Sequence, residues 1–148
     1  MLNSNLGFAS IMLLAGIGIP ILAALNSSLG TRIGSPITAA AILFTIAVGG
    51  AWVIAAIAGF PGLSAVASAP KHLLLAGLLV LFYVLSITII APKFGVGNAV
   101  FFVLLGQIVS ATLIDHFGLF GAAMTQISLT RMLGLGLMVA GIGLTRLT

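Results

Sequence analysis

The chain has 148 residues, 61% hydrophobic and 4% charged, with five Lys or Arg, one acid and no cysteine. So few charges cannot cover a water-soluble surface, where about 25% of residues normally carry charge. Disorder is excluded as well, because it needs low hydrophobicity and high charge. What remains is an all-α polytopic membrane protein. A β-barrel would alternate apolar and polar residues, whereas these apolar runs are continuous. Without cysteine there are no disulfides, thiolate nucleophiles or Cys-based metal sites. The cations stand singly, so no basic stripe suits a nucleic acid.

Five hydrophobic runs of about 20 residues, the length of a membrane span, fill a single transmembrane domain over residues 1–148. The first covers about Leu6 to Leu29 and holds Pro20, with Asn26, Ser27 and Ser28 towards its end. No Lys or Arg precedes it and it is too long for a signal-peptide core, so it reads as a mature helix with a hinge at Pro20. Pro36 then opens a second helix to about Ala58, a first-turn position where its missing N–H needs no partner. Within that helix Ala47, Ala51, Ala55 and Gly59 make a smooth face for another helix. Phe60 to Lys71 is a loop rich in Pro, Gly and Ser. A third helix spans His72 to Ala91 and a fourth Gly95 to Ile114. Residues 118–128 read either as an interfacial turn or as an early start to the fifth helix, which is secure from about Leu129 to Leu147.

Five spans put the termini on opposite sides of the membrane. Lys71 and Arg131 then fall on the N-terminal side, and Arg32, Lys93 and Arg146 on the C-terminal side. Orientation follows Lys and Arg counts over short loops. A bias of one gives almost no instruction, so the chain is expected to insert both ways. Two inverted copies can then pair around an axis in the membrane plane, the symmetry of inverted-repeat transporters.

Several stretches resemble the YdcZ-type small branch of the drug/metabolite transporter superfamily. They are the run from Gly16 to Gly30 followed by Gly34-Ser35-Pro36, then Gly106-Gln107-Ile108, Ile114-Asp115-His116-Phe117-Gly118, and Arg131 with Gly134 and Gly141. The resemblance implies a five-helix bacterial inner-membrane protein, half of the superfamily's ten-helix fold. It is similar in logic to the antiparallel small multidrug resistance proteins. Members often carry Trp where this chain has His72. No site residue is carried over from the branch.

The polar residues within the spans are the candidate substrate contacts: Asn26 and Ser27 in helix one, Trp52 and Tyr83 in helices two and three, and Gln107 with Ser110 in helix four. Polar side chains in lipid normally face the bundle interior. Gln107 reads equally as a substrate contact or an interhelical clasp, and Trp52 as a cavity wall or simple packing. The resembling multidrug proteins depend on a carboxylate in their first helix. Here that helix has no acid, which disfavours proton-coupled export of cations. Asp115 and His116, at the end of helix four, are a possible gate or coupling pair, although an ion pair with Arg131 or Lys71, or a cap, is the simpler role for Asp115. No nucleophile–base pair or metal cluster points to an enzyme, and no cofactor is expected.

The expected function is a small-molecule transporter acting as an antiparallel homodimer, with a neutral or anionic metabolite as substrate. A small dual-topology channel and a non-transporting scaffold or accessory subunit are the alternatives. The partners expected are membrane lipid, the substrate, and a second copy or a homologous paired subunit.

Overall fold

A computed structural model describes the backbone of residues 2–144 and the side chains of residues 5–144. Arg146 and the expected end of the fifth helix at Leu147 lie outside the described residues. Five α-helices follow one another: α1 (Leu2–Arg32), α2 (Pro36–Ile57), α3 (Ala76–Phe94), α4 (Val96–Phe117) and α5 (Leu129–Leu144). No strand occurs among the described residues. Among the described residues, four segments are long and apolar enough to cross a membrane: Asn5–Arg32, Pro36–Ile57, Lys71–Phe94 and Val96–Phe117. The described part of α5 is apolar but shorter, at 16 residues. The chain is an all-α membrane protein. It divides into two compact units, Met1–Val96 with α1 to α3 and Gly97–Thr148 with α4 and α5.

The α1–α2 connection is tighter than the sequence suggests, and local chemistry explains it. Gly34 adopts φ +70°, a conformation that costs a side-chain-bearing residue about 1–2 kcal/mol. Its N–H reaches the Thr31 carbonyl at 3.3 Å, and the Ser35 N–H reaches the Gly30 carbonyl at 3.0 Å. This Schellman pairing satisfies the last carbonyls of α1 and so carries the helix to Arg32. Ser35 turns at once to cap α2, accepting the Thr38 N–H at 3.2 Å, with Pro36 in the first turn. The result is a helical hairpin with only three residues outside the helices.

Packing in the first unit is concentrated at that hairpin. Ala23, Ala39, Ala40, Val84, Ile87, Thr88 and Ala91 are all at most 3% exposed. A β-carbon added to Gly30 would sit 3.1 Å from the Pro36 Cα and 3.4 Å from the Thr88 Cγ2. Small residues thus let α1 approach both neighbours closely, as helices in lipid require. Towards their other ends the helices are exposed on all sides: residues 5–18 of α1, 45–54 of α2 and 76–82 of α3. The smooth face of α2 is correspondingly uncovered. Ala47, Ala51 and Gly59 are exposed and Ala55 is half-buried. The hairpin forces its own end together, so contact falls on Ala39 and Ala40 instead.

The third helix begins four residues later than expected. Lys71–Leu75 form a 3-10 turn that leads into α3 at Ala76.

In the second unit, residues 118–128 resolve the open alternative. Gly118 (φ +59°) ends α4, Leu119–Gly121 make one 3-10 turn, and the chain then runs extended to α5. The segment is a folded-back loop and not the start of a helix. Ser128 accepts the Arg131 N–H at 3.1 Å and so caps α5.

Candidate functional site

One predicted residue, Asn26, meets one unforeseen residue, Thr88, across the seam between α1 and α3; Ser27 adjoins Asn26 on α1, and Tyr83 lies on α3. Asn26 is 4% exposed, Ser27 5% and Thr88 0%. The Asn26 Nδ2 donates to the Thr88 Oγ1 at 2.7 Å, and the Thr88 hydroxyl donates to the Val84 carbonyl at 2.6 Å. The second bond determines the orientation of the first. A carbonyl can only accept, so the Thr88 proton goes to Val84 and Thr88 must accept from Asn26. The Asn26 amide nitrogen therefore faces α3, and its carbonyl oxygen remains available as an acceptor.

Asn26 also borders a groove of about 400 Å³ between α1 and α2. Leu25 and Leu29 form one wall, with Ile42 and Ile46 opposite. Helical spacing accounts for this split. Leu22, Leu25 and Leu29 share the groove face of α1, whereas Ala23, Ser27 and Gly30 share the packed face. Asn26 lies at the edge between them.

Two further hydroxyls are left over. Ser27 Oγ and Tyr83 Oη are both buried with no hydrogen-bond partner in the protein. An unpaired buried polar group costs about 1–3 kcal/mol. A buried hydroxyl left without a partner in the protein can hydrogen-bond a polar guest.

Thr88 had a signal in the sequence. α1 and α3 run in the same direction through the hairpin unit. Asn26 is six residues before the end of α1 at Arg32, and Thr88 is six residues before the end of α3 at Phe94. The two polar residues were therefore at equal depth.

The other predicted residues lie elsewhere. Pro20 is half-buried within α1, which continues through it as helix. Trp52 is five residues from the end of α2 and 55% exposed. Its ring is tilted against Phe60, with centroids 6.2 Å apart. Both border a separate pocket of about 340 Å³ formed where the chain turns through Pro61 and Gly62. That is the position of an aromatic anchor at a helix end, away from Asn26.

In the second unit, Gln107 and Ser110 lie on an exposed face of α4. Ser110 donates to the Gly106 carbonyl at 2.8 Å. Asp115 and His116 hold the loop that follows. Asp115 pairs with Arg131 at 2.5 Å, and its carbonyl accepts the Thr125 N–H at 2.8 Å. His116 accepts the Ile127 N–H at its Nδ1, 3.3 Å away. These are the contacts of a clamp between the end of α4 and the start of α5. No group of three or more His, Cys, Asp or Glu that could hold a metal occurs among the described residues.

Long apolar spans describe a membrane protein, and comparison with known families agrees. Residues 7–144 match the family described as "Putative inner membrane exporter, YdcZ". No curated protein and no solved structure matches the chain significantly. The chain belongs to the YdcZ exporter family and is an inner-membrane protein.

Proposed function

We propose that the chain exports a small molecule by alternating access, as an antiparallel homodimer, and that the α1–α3 seam binds the substrate. The observation that carries this reading is the pair of buried hydroxyls without partners, Ser27 Oγ on α1 and Tyr83 Oη on α3, the first adjoining an amide that is bonded to Thr88 of α3. Asn26, Ser27 and Tyr83 are the substrate contacts, with Thr88 orienting Asn26. The seam contains no carboxylate, and the chain's one acid is engaged with Arg131 in the other unit. A neutral or anionic metabolite with hydrogen-bonding groups suits such a surface better than a lipophilic cation. Pro20 is the hinge. It leaves the Gly16 carbonyl without its helical donor, in the stretch of α1 that has few neighbours. Asp115 and His116 keep the α4–α5 loop in place and do not carry the coupling ion.

The test uses Ser27→Ala and Tyr83→Phe together. Neither hydroxyl makes a bond in the folded chain, so the double variant keeps full stability. Small molecules lost from cells that overproduce the chain are compared with those lost from cells carrying the variant. A compound exported by the first and retained by the second supports the seam. Equal export by both would remove it as the binding surface. Counterflow exchange of that compound in proteoliposomes, without ionic current, distinguishes the carrier from a channel.

A further inference from the structure

The turn between α4 and α5 is held by contacts that all lie within the second unit. Gly118 and Gly121 have positive φ and turn the chain back along the end of α4. Two backbone N–H groups of the returning segment then bond to that end. The Thr125 N–H donates to the Asp115 carbonyl at 2.8 Å, and the Ile127 N–H donates to the His116 Nδ1 at 3.3 Å. Ser128 follows at once. Its hydroxyl accepts the Arg131 N–H and its carbonyl accepts the Met132 N–H, which together open α5. The imidazole bond therefore sits one residue from the cap of α5.

That bond fixes the protonation state of the ring. A backbone N–H can only donate, so His116 Nδ1 must offer a lone pair, and the imidazole is the neutral form with its proton on Nε2. An imidazolium carries a proton on both nitrogens. Its Nδ1–H would point at the Ile127 N–H, donor against donor. The protonated ring and the closed loop therefore exclude each other. The closed state binds one proton fewer, so it is favoured as pH rises and weakened as pH falls. Histidine is the side chain whose charge ordinarily changes between about pH 5 and 8.

Few other charges stand in the second unit. On α4, Asp115 precedes His116 and is paired with Arg131 of α5, a cation throughout that range. The loop from 118 to 128 has no titratable side chain. The ring also meets the edge of Phe117, with centroids 4.7 Å apart, a contact that offers no proton acceptor.

We infer that His116 is a pH-operated latch on the α4–α5 loop. Neutral, it holds Ile127 and the cap of α5 in place, and protonated, it lets them go. The proton acts on the loop alone and is not carried across the membrane.

The test uses the full chain in lipid nanodiscs. Amide exchange at Ile127 is expressed as protection relative to the intrinsic rate at each pH. Between about pH 8 and about pH 5.5 the protection should fall about 2- to 10-fold, the loss of one hydrogen bond, with the middle of α4 unaffected. Neither His116→Asn nor His116→Leu can titrate, so both should lose the pH response. The Asn oxygen lies near the Nδ1 position, so His116→Asn should keep the higher protection and His116→Leu the lower. His72→Asn changes the other histidine of the chain and should leave the response intact. Where a variant does not fold, nitrogen NMR of the unaltered chain gives a second reading. The His116 ring should carry its proton on Nε2 at the higher pH, and the ring and the Ile127 amide should titrate together. A ring that stays neutral across the range, or that titrates with no change at Ile127, would overturn the latch. So would a neutral ring protonated on Nδ1, a response that survives His116→Asn, or one that vanishes with His72→Asn.

Discussion

At the scale of single residues, the hairpin unit depends on Gly30 and on the Asn26–Thr88 bond. A methyl group at Gly30 meets backbone at 3.1 Å, and backbone cannot swing aside. Gly30→Ala should therefore destabilise the unit by about 1–3 kcal/mol, the usual cost of overpacking. Gly18→Ala is the matched control. Nothing lies within 4 Å of its added carbon, and relief of the glycine penalty inside a helix should stabilise α1 by about 0.5–1 kcal/mol. Unfolding of the detergent-solubilised chain compares the two, and similar effects would refute the close approach at Gly30. Thr88→Val should cost about 1–3 kcal/mol because it leaves the Asn26 amide unpaired in the core. Asn26→Leu added to Thr88→Val should recover part of that loss, since removing both partners is cheaper than removing one. Strict additivity of the two changes would argue against the bond.

At the scale of elements, the loop from residue 118 to 128 tests the clamp. Asp115 and Arg131 are each more than a quarter exposed, and a pair that wet contributes at most about 1 kcal/mol. Asp115→Asn should therefore leave global unfolding nearly unchanged. It should accelerate amide exchange around Thr125 and Ile127, whose N–H groups bond to Asp115 and His116. Loss of protection across α4 as a whole would mean that the clamp holds the helix and not merely the loop. The same loop illustrates what short-range reading can reach. Gly118 and Gly121 announced a break, and both have positive φ. The folded-back course is accompanied by bonds from the Thr125 and Ile127 N–H groups to Asp115 and His116, ten and eleven residues earlier, which no local propensity encodes.

At the scale of the whole molecule, the proposed dual insertion follows from the few charges. With five spans, the C-terminal side would carry three of the five cations and the N-terminal side two. Lys71→Ala makes the count three to one, so the C-terminal side should turn almost entirely to the cytoplasm. Arg32→Ala with Lys93→Ala makes it one to two and should reverse the preference. Labelling of a C-terminal tag from each side of the membrane reads both shifts. If neither variant moves the ratio, orientation is set by something other than these cations, and the supply of inverted copies fails with it. Family membership does not bear on this point, because an exporter can be built from one orientation or two.

Composition and continuous hydrophobic runs determined the fold class, because lipid admits only structures that satisfy every backbone group internally. The starts and stops of the helices were legible where a local device makes them, as at Pro36 and Leu129. They were missed where the device spans a turn, as in the Schellman pairing that extends α1 to Arg32. Asn26, Ser27 and Tyr83 stood out as polar residues in apolar spans, but polarity alone does not say what a side chain meets. Only tertiary structure decided that Asn26 is bound to Thr88 and that the hydroxyls of Ser27 and Tyr83 are buried without partners. Each of these facts depends on which helix faces are turned towards each other, and that is set by close approach at small residues from distant parts of the chain.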